Sequence, residues 1–202
     1  MKRSLPLLLA LLVVPVAHAD GNGPWQIKFG VHDVSPKSGN GSLAGGSLKT
    51  DVGDSTRPTL SLEYGFNRNL GLEVLAAAPF RHDVKLNGSK AASVKQLPPT
   101  VSLQWHFLPD RAISPFVGLG VNYTRFFSID ETGPLAGTRL DLDSSWGLAA
   151  HAGVDFAIDP NWSVTVDARW IRISSDAKVN GAKVGTVDID PRVFGVAVGY
   201  RF

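Results

Sequence analysis

The sequence contains no cysteine, which excludes a disulfide framework, thiolate catalysis and a cysteine-ligated metal site. Beyond its first residues it also lacks a long apolar run, so no helical membrane span is expected there. The five histidines show no ligand spacing, and we expect neither a metal nor a cofactor. If the chain spans a membrane, it must do so as a closed β-barrel, in which every backbone polar group is paired.

The N-terminus has the three parts of a secretory signal peptide. Lys2 and Arg3 precede the apolar run Leu5–Val16, and an Ala-His-Ala cleavage site ends at Ala19. We therefore expect residues 1–19 to be removed and residues 20–202 to form one outer-membrane β-barrel; an uncleaved anchor is the alternative. Removal leaves 18 basic and 18 acidic residues, so the charge balance gives no reason to expect nucleic-acid binding.

The last ten residues, Val193 to Phe202, alternate with a period of two. Phe194, Val196, Val198, Tyr200 and Phe202 fall on one face of a strand, while the other face carries small residues and Arg201. A strand between lipid outside and a crowded polar interior needs this pattern. A chain that ends on the aromatic residue of such a strand is typical of a bacterial outer-membrane barrel.

Eight stretches of the mature chain show this alternation, and long connections between them alternate with short ones. Turn residues such as Asn87-Gly88 and Asn180-Gly181 fill the long connections. The pattern predicts an all-β fold, an eight-stranded antiparallel transmembrane β-barrel with short periplasmic turns and long extracellular loops. The predicted strands are Trp25–Val34, Arg57–Phe66, Leu70–Phe80, Leu97–Phe107, Ser114–Ile129, Ser144–Ala157, Trp162–Ser174 and Val187–Phe202.

Periodicity alone does not say which face of the barrel is inside, so a soluble, lipocalin-like barrel is the alternative. We expect the apolar face outside. The polar face combines charges with many glycines, as a narrow interior requires, and aromatic residues lie mainly at the ends of the apolar sets. Amphipathic rings favour the headgroup level of a membrane, so these positions suit an interfacial girdle.

Charged residues on the inward face lie mainly toward the periplasmic end. An eight-stranded barrel is only wide enough to be filled by side chains, so these groups must pair with one another. The pattern predicts a closed polar plug rather than a wide aqueous pore. Its members are Lys28, Glu63, Glu73, Asp155, Asp167, Arg169 and Arg201.

Apolar residues occupy the upper inward positions, toward the long loops, and prolines lie at the upper ends of the third and fourth strands and in the eighth. The apolar side chains either line a pocket for a small hydrophobic molecule or form simple core packing under the loops. The prolines, which supply no N–H donor, either open a lateral gap in the wall or merely start and end strands. The candidate substrate-binding residues are Leu75, Phe126, Ile171 and Val193, and the candidate lateral-gate residues are Pro79, Pro98, Pro99 and Pro191.

Several segments resemble the OmpW family of small outer-membrane barrels. They are Trp25–Lys28, Leu97–Trp105, Pro115–Tyr123, Ser145–Leu148, Asp188–Pro191 and Tyr200–Phe202. The likeness covers essentially the whole mature chain. It implies an eight-stranded barrel with a hydrophobic channel open to the outside, closed toward the periplasm, and with a lateral exit in the wall. The family is associated with uptake of small hydrophobic molecules, including alkanes in its AlkL branch, and some members serve as bacteriocin receptors.

Three functions follow as hypotheses. The first is passive uptake of a small hydrophobic molecule, and the alternative is a structural, receptor or adhesive barrel without transport. The third, a lipid-acting enzyme built on Ser102, His106 and His151, is not expected: a G-x-S-x-G elbow is absent, and Ser102 and His106 lie about 13 Å apart along one strand. The expected partners are small hydrophobic solutes, outer-membrane lipid and lipopolysaccharide, and the barrel-assembly machinery acting on Phe202.

Overall fold

The computed structural model describes residues 23–202, and within them the chain forms fifteen β-strands and two short 3₁₀ turns, Ala44–Gly46 and Gly133–Leu135. Among these residues no helix has the length and apolar character needed to cross a membrane. The predicted signal peptide, residues 1–19, lies outside the described residues and stays a prediction. The strands are β1 Trp25–Ser35, β2 Ser42–Leu43, β3 Leu48–Val52, β4 Ser55–Gly65, β5 Leu70–Ala77, β6 Phe80–Leu86, β7 Ser89–Leu97, β8 Thr100–His106, β9 Ile113–Glu131, β10 Leu140–Leu142, β11 Ser145–Ala157, β12 Trp162–Ile171, β13 Ser174–Val179, β14 Ala182–Asp188 and β15 Arg192–Arg201.

Eight of these strands close into an antiparallel barrel, which we call the lower tier. Its order is β1, β4, β5, β8, β9, β11, β12 and β15, and β15 pairs back with β1. The two ends of the ring meet where the Phe202 N–H donates to the Trp25 carbonyl at 2.9 Å and the Trp25 N–H donates to the Phe202 carbonyl at 3.2 Å. The predicted eight-stranded barrel is confirmed.

The two faces of the lower tier have the polarity that the sequence predicts. Leu119 and Trp146 on the outer face are each 72% exposed, whereas Lys28 and Gln104 on the inner face are 3% and 0% exposed. Apolar side chains therefore cover the outside and polar ones fill the inside, the reverse of a soluble barrel with an apolar interior.

The long connections, expected to be loops, contain strands of their own, and in this respect the sequence-based prediction was incomplete. These strands continue the wall above the lower tier in the order β10, β13, β14, β2, β3, β6, β7 and the upper half of β9, which we call the upper tier. Two hairpins in it turn at Asn87-Gly88 and Asn180-Gly181, all four with positive φ, as two-residue hairpin turns require.

Several predicted strands consequently extend through a kink instead of ending. The predicted strand Leu70–Phe80 is broken after Ala77 and resumes as β6 at Phe80, and Pro98-Pro99 separates β7 from β8. Across this second kink the ladder to β9 persists, because the Tyr123 N–H donates to the Pro99 carbonyl at 3.1 Å. Proline thus bends the wall here without opening it.

The wall is interrupted at another place, between the top of β4 and the start of β6. Below it, the Ala78 N–H donates to the Pro58 carbonyl, and above it the Gly53 N–H donates to the Asp83 carbonyl. Within the described residues, no backbone hydrogen bond joins residues 54–57 to residues 79–82. Pro58 contributes to the break because its ring nitrogen carries no hydrogen to donate.

Candidate functional site

Two ionic clusters fill the interior of the lower tier. In the first, Lys28 Nζ lies 3.2 Å from Asp155 Oδ1 and 3.5 Å from Glu63 Oε2, and His106 Nε2 lies 2.7 Å from Glu63 Oε1. Each of these side chains is at most 10% exposed. Charges removed from water to this degree are stabilised only when they are paired, and these are.

Arg169 is the centre of the second cluster. Its Nη1 and Nη2 donate to the two Glu73 carboxylate oxygens at 2.7 and 3.0 Å, and its Nε donates to Asp167 at 2.6 Å. His32 Nε2 lies 3.1 Å from the other Asp167 oxygen, and His151 Nε2 lies 3.0 Å from Gln104 Oε1. The bidentate pair fixes the guanidinium plane across the barrel, from β12 to β5.

Phe116 fills the space between the two clusters, and the sequence analysis did not single it out. It is 2% exposed, its ring centroid lies 5.1 Å from Lys28 Nζ, and it packs against the rings of His106 and His151. The alternation along β9 places Phe116 on the inward face, and this is the sequence signal from which it could have been found. Gly118 provides the room beside it, since a Cβ there would collide with the His151 ring.

Arg201 is the one predicted plug residue that stays outside the two clusters. It is only partly buried and lines a polar vestibule of about 780 Å³ at the short-turn end of the barrel. No carboxylate among the described residues lies within 4.0 Å of it. The other six predicted members, Lys28, Glu63, Glu73, Asp155, Asp167 and Arg169, are brought together by the fold.

An apolar cavity of about 280 Å³ lies above these clusters, inside the upper tier. Phe126 lines it, together with side chains from the strands hidden in the long connections. Nearly all of its surface is aliphatic, so it can hold an apolar group of small-molecule size but offers little hydrogen bonding. The aliphatic lining residues are Leu43, Leu48, Val52, Val84, Leu86, Val94, Leu135, Leu140, Leu142, Val179, Val184, Val187 and Ile189.

The four residues predicted to bind a solute lie at different places around this cavity. Phe126 lines it, whereas Ile171 and Val193 belong to the buried apolar cluster that also supplies much of the lining, without lining the cavity themselves. Leu75 is buried, 8% exposed, outside both the cluster and the cavity lining. The missed lining residues carried a signal, because Leu48-Thr50-Val52 and His82-Val84-Leu86 alternate with period two.

One polar pair, His82 and Gln96, interrupts the apolar lining. His82 Nδ1 donates to the Gly53 carbonyl at 2.6 Å, so its Nε2 accepts from Gln96 Nε2 at 2.9 Å. Burial lowers the pKa of His82, which keeps the ring neutral. The remaining Gln96 oxygen is buried without a partner among the described residues, as is the Thr50 hydroxyl.

The four predicted gate prolines do not share one environment. Pro98 and Pro99 accept hydrogen bonds from Asn122 Nδ2 at 3.0 and 3.1 Å, and the Pro191 carbonyl accepts from the Ile171 N–H at 3.3 Å. Only Pro79 borders the interruption between β4 and β6.

Hydrogen bonds from or to side chains bridge that interruption in place of backbone–backbone hydrogen bonds. Arg57 Nε donates to the Pro79 carbonyl at 3.1 Å, and the Arg81 N–H donates to Ser55 Oγ at 3.1 Å. Single side-chain bonds replace a ladder here, so this is a weak line in the wall. His82, which lines the cavity, directly follows Arg81, so the weak line adjoins the cavity.

Ser102, His106 and His151, the residues of the hypothetical lipid-acting site, do not contact one another. Ser102 Oγ is buried and has no hydrogen-bond partner among the described residues. His106 binds Glu63 and His151 binds Gln104, so neither histidine contacts the serine. A nucleophile without a base in reach cannot be activated.

Comparison with known families gives a match that includes all of the described residues. The OmpW family profile matches residues 21–202. Outer membrane protein W of Vibrio cholerae is 35% identical over 212 residues, covering 98% of this chain and 97% of its own. A protein of Pseudomonas aeruginosa named dibenzothiophene metabolism operon protein PahQ is 25% identical over 216 residues, with both chains fully covered.

Two solved structures have the same architecture. The crystal structure of the outer membrane protein OprG from Pseudomonas aeruginosa superposes with a TM-score of 0.79 at 32% identity, covering 89% of this chain and 96% of that one. The solid-state NMR structure of AlkL has a TM-score of 0.64 at 21% identity, covering 100% and 97%, and shows likeness of fold alone.

Proposed function

The chain belongs to the OmpW family and is an outer-membrane β-barrel protein, and from this premise we propose that it mediates passive uptake of small hydrophobic molecules. The solute enters the upper tier from outside, rests in the apolar cavity and leaves sideways into the membrane. The observation that carries this proposal is the apolar cavity in the upper tier, above the buried ion pairs that fill the lower tier.

The plug supports the lateral route by blocking the axial one. An apolar solute that moved straight down would have to cross the Arg169 and Lys28 clusters and break their buried ion pairs. The interruption beside Pro79 adjoins the cavity, and the proposed exit leads from it down to the apolar outer face of the lower tier. A solute that prefers hydrocarbon to water gains its transfer free energy by leaving there. Of the four candidate gate prolines, Pro79 alone borders this proposed exit, while Pro98 and Pro99 lie between β7 and β8 and Pro191 precedes β15.

The name of one relative agrees with an apolar solute, since PahQ is named for a dibenzothiophene metabolism operon. We propose no enzymatic activity for this chain, in line with the unassembled serine and histidines. We further propose that the barrel-assembly machinery acts on the terminal aromatic residue, Phe202, which pairs with the first strand. Lipopolysaccharide is the proposed lipid partner of the outer surface.

The test is uptake of a small hydrophobic dye by cells that carry or lack the protein, alongside a small hydrophilic solute. We expect faster entry of the dye alone. Phe126→Asp places a carboxylate in the apolar lining and should weaken dye binding to the purified protein by at least ~10-fold, about 1.4 kcal/mol. The matched control is Phe127→Asp, because this neighbour faces the other side of β9.

Each outcome of this experiment has one meaning. Equal dye binding by folded Phe126→Asp and wild type would remove Phe126 from the solute site. Unchanged entry of both solutes would favour the structural or receptor alternative. Hydrophilic flux would contradict the closed plug.

A further inference from the structure

A band of aromatic and basic side chains covers one side of the outer wall, where the lower tier meets the upper tier. Its centre is formed by Tyr123, Trp146 and Trp170, with the Tyr123 and Trp146 ring centroids 4.7 Å apart. Trp146 is 72% and Trp170 45% exposed. Aromatic rings at the end of an apolar outer face mark the headgroup level of the membrane.

Basic side chains extend the band on both flanks. Arg192 is the cross-strand partner of Trp170, and Arg172 follows Trp170 on the same face. On the other flank Arg125 lies two residues above Tyr123. We name the whole set, Tyr123, Trp146, Trp170, Lys95, Arg125, Arg172 and Arg192, the basic–aromatic arc.

The four basic groups of the arc are not neutralised by the protein. Among residues 23–202, no carboxylate lies within 4.0 Å of the charged atoms of Lys95, Arg125, Arg172 or Arg192. Neighbouring acids are engaged elsewhere: Asp130 pairs with Arg81 at 3.1 Å, and Asp143 pairs with Lys178 at 2.7 Å. Asp33, near Arg192, accepts from two hydroxyls.

The arc is confined to one side of the barrel, which distinguishes it from a general basic coating. It runs over β7, β9, β11, β12 and β15. On β1 and β4 the outward residues beside Arg192 are uncharged or acidic: Ser35, its cross-strand partner, and then Asp33 and Thr56. An anionic partner would therefore be held over the part of the wall from β7 to β15, and Lys95 at its β7 end is the cross-strand partner of Arg81, which borders the interruption.

We propose that the basic–aromatic arc binds the phosphate groups of a phosphorylated outer-leaflet glycolipid, the chemical class of lipid A. The position selects a lipid, because the arc lies directly above the apolar face that acyl chains cover. The charge selects phosphate, since guanidinium forks match phosphate oxygens and surface basic residues attract anionic headgroups. This inference is independent of solute uptake.

The experiment titrates purified, folded protein with lipid A that carries two phosphates or none, and counts bound lipid by native mass spectrometry. The test variant combines Lys95→Gln, Arg125→Gln, Arg172→Gln and Arg192→Gln. The control variant removes four exposed basic groups outside the arc, through Lys49→Gln, Arg68→Gln, Lys85→Gln and Arg111→Gln. Heat-dependent gel mobility confirms that each variant is folded.

We expect the wild type to bind the phosphorylated lipid at least ~10-fold more tightly than the dephosphorylated one, since each basic group contributes about fivefold at a membrane surface. The test variant should lose this preference and the control should keep it. Equal binding of both lipids by the wild type, or equal loss in the two variants, would overturn the proposal. Competition by inorganic phosphate or equal binding of phosphatidylglycerol would also overturn it, in favour of a free-anion site or a general anionic surface.

Discussion

The Arg169–Glu73 pair shows how much of the lower tier depends on single buried side chains. Glu73→Gln keeps the shape but leaves Arg169, 4% exposed in its side chain, with only Asp167 as an anionic partner. Breaking a buried pair from one side costs about 3–5 kcal/mol. We therefore expect a drop of that size in the free energy of unfolding, measured by urea titration of the protein in lipid bilayers.

The control for this change is Asp110→Asn. It breaks the ion pair between Arg68 and Asp110, whose side chains are 79% and 66% exposed. Exposed pairs contribute about 0–1 kcal/mol, so this variant should unfold close to wild type. Similar losses in both variants would mean that the plug pairs are more hydrated than their burial indicates.

His82 should make the upper tier sensitive to acid. Burial lowers its pKa below the ordinary 6.5, an effect that the bond to Gly53 and the nearby Asp54 and Asp33 oppose and that Arg57 reinforces. Between about pH 6.5 and the lower pKa of the folded state, the His82 ring is protonated in the unfolded chain but neutral in the folded protein. The contribution of His82 to the free energy of unfolding is therefore complete above about pH 6.5 and decreases as the pH falls toward the pKa of the folded state. Amide hydrogen exchange of β6 and β7 at pH 7.5, 6.0 and 5.0 measures this, and His82→Gln should flatten the dependence. If hydrogen exchange in His82→Gln depends on pH as strongly as in the wild type, other titratable groups cause the acid sensitivity.

Side-chain parity along the strands predicted which residues face inward, and six of the seven plug residues do meet. It could not predict their pairing, because Asp167 lies on the same strand as Arg169 but Glu73 lies on β5, far away in sequence, and meets Arg169 only when the barrel closes. Arg201 illustrates the limit. It has the correct parity, but it lies at the end of its strand and lines the vestibule, where it forms no ion pair within 4.0 Å with the described carboxylates.

At the scale of the strands, the interruption between β4 and β6 predicts locally weak hydrogen bonding. The Arg81 amide depends on one side chain, Ser55 Oγ, at 3.1 Å. Ser55→Ala removes that acceptor, so the Arg81 amide should exchange with solvent at least ~10-fold faster by NMR, about 1.4 kcal/mol. The Leu75 amide in the adjoining β5 ladder is the internal control and should keep its rate. Equal protection of Arg81 in both proteins would indicate another acceptor.

The eight long strands were predictable because each combines a strict alternation with a bulky outer face. The upper-tier strands were missed partly because β2 and β10 have only 2 and 3 residues, and partly because glycine and charged residues separate the strands. Above the membrane both faces of a strand can be polar. The difference between an apolar outer face and a polar inner face, which reveals the lower-tier strands in the sequence, is therefore weaker in the upper tier. The Asn-Gly turns at positions 87 and 180 were visible, but their hairpins were not inferred from them.

The whole molecule consists of two stacked tiers with opposite interiors. Ionic groups fill the lower tier and aliphatic groups fill the upper tier, although the outer wall runs through both. Lipid surrounds the lower tier and permits a polar interior, whereas water surrounds the upper tier and favours an apolar one. Each tier therefore carries its own source of stability, and the cavity depends on the upper one.

This division predicts that the upper tier can be damaged without loss of the barrel. Replacing residues 83–93 by Asn-Gly joins His82 to Val94 through a two-residue turn and removes the partner of β3. The cavity loses Val84 and Leu86 and opens to water, so hydrophobic dye binding should vanish. The lower-tier ladders are untouched, so the variant should still insert into bilayers and keep its heat-dependent gel mobility. Failure to insert would mean that the upper tier is needed for barrel closure, and retained dye binding would place the solute site in the lower tier.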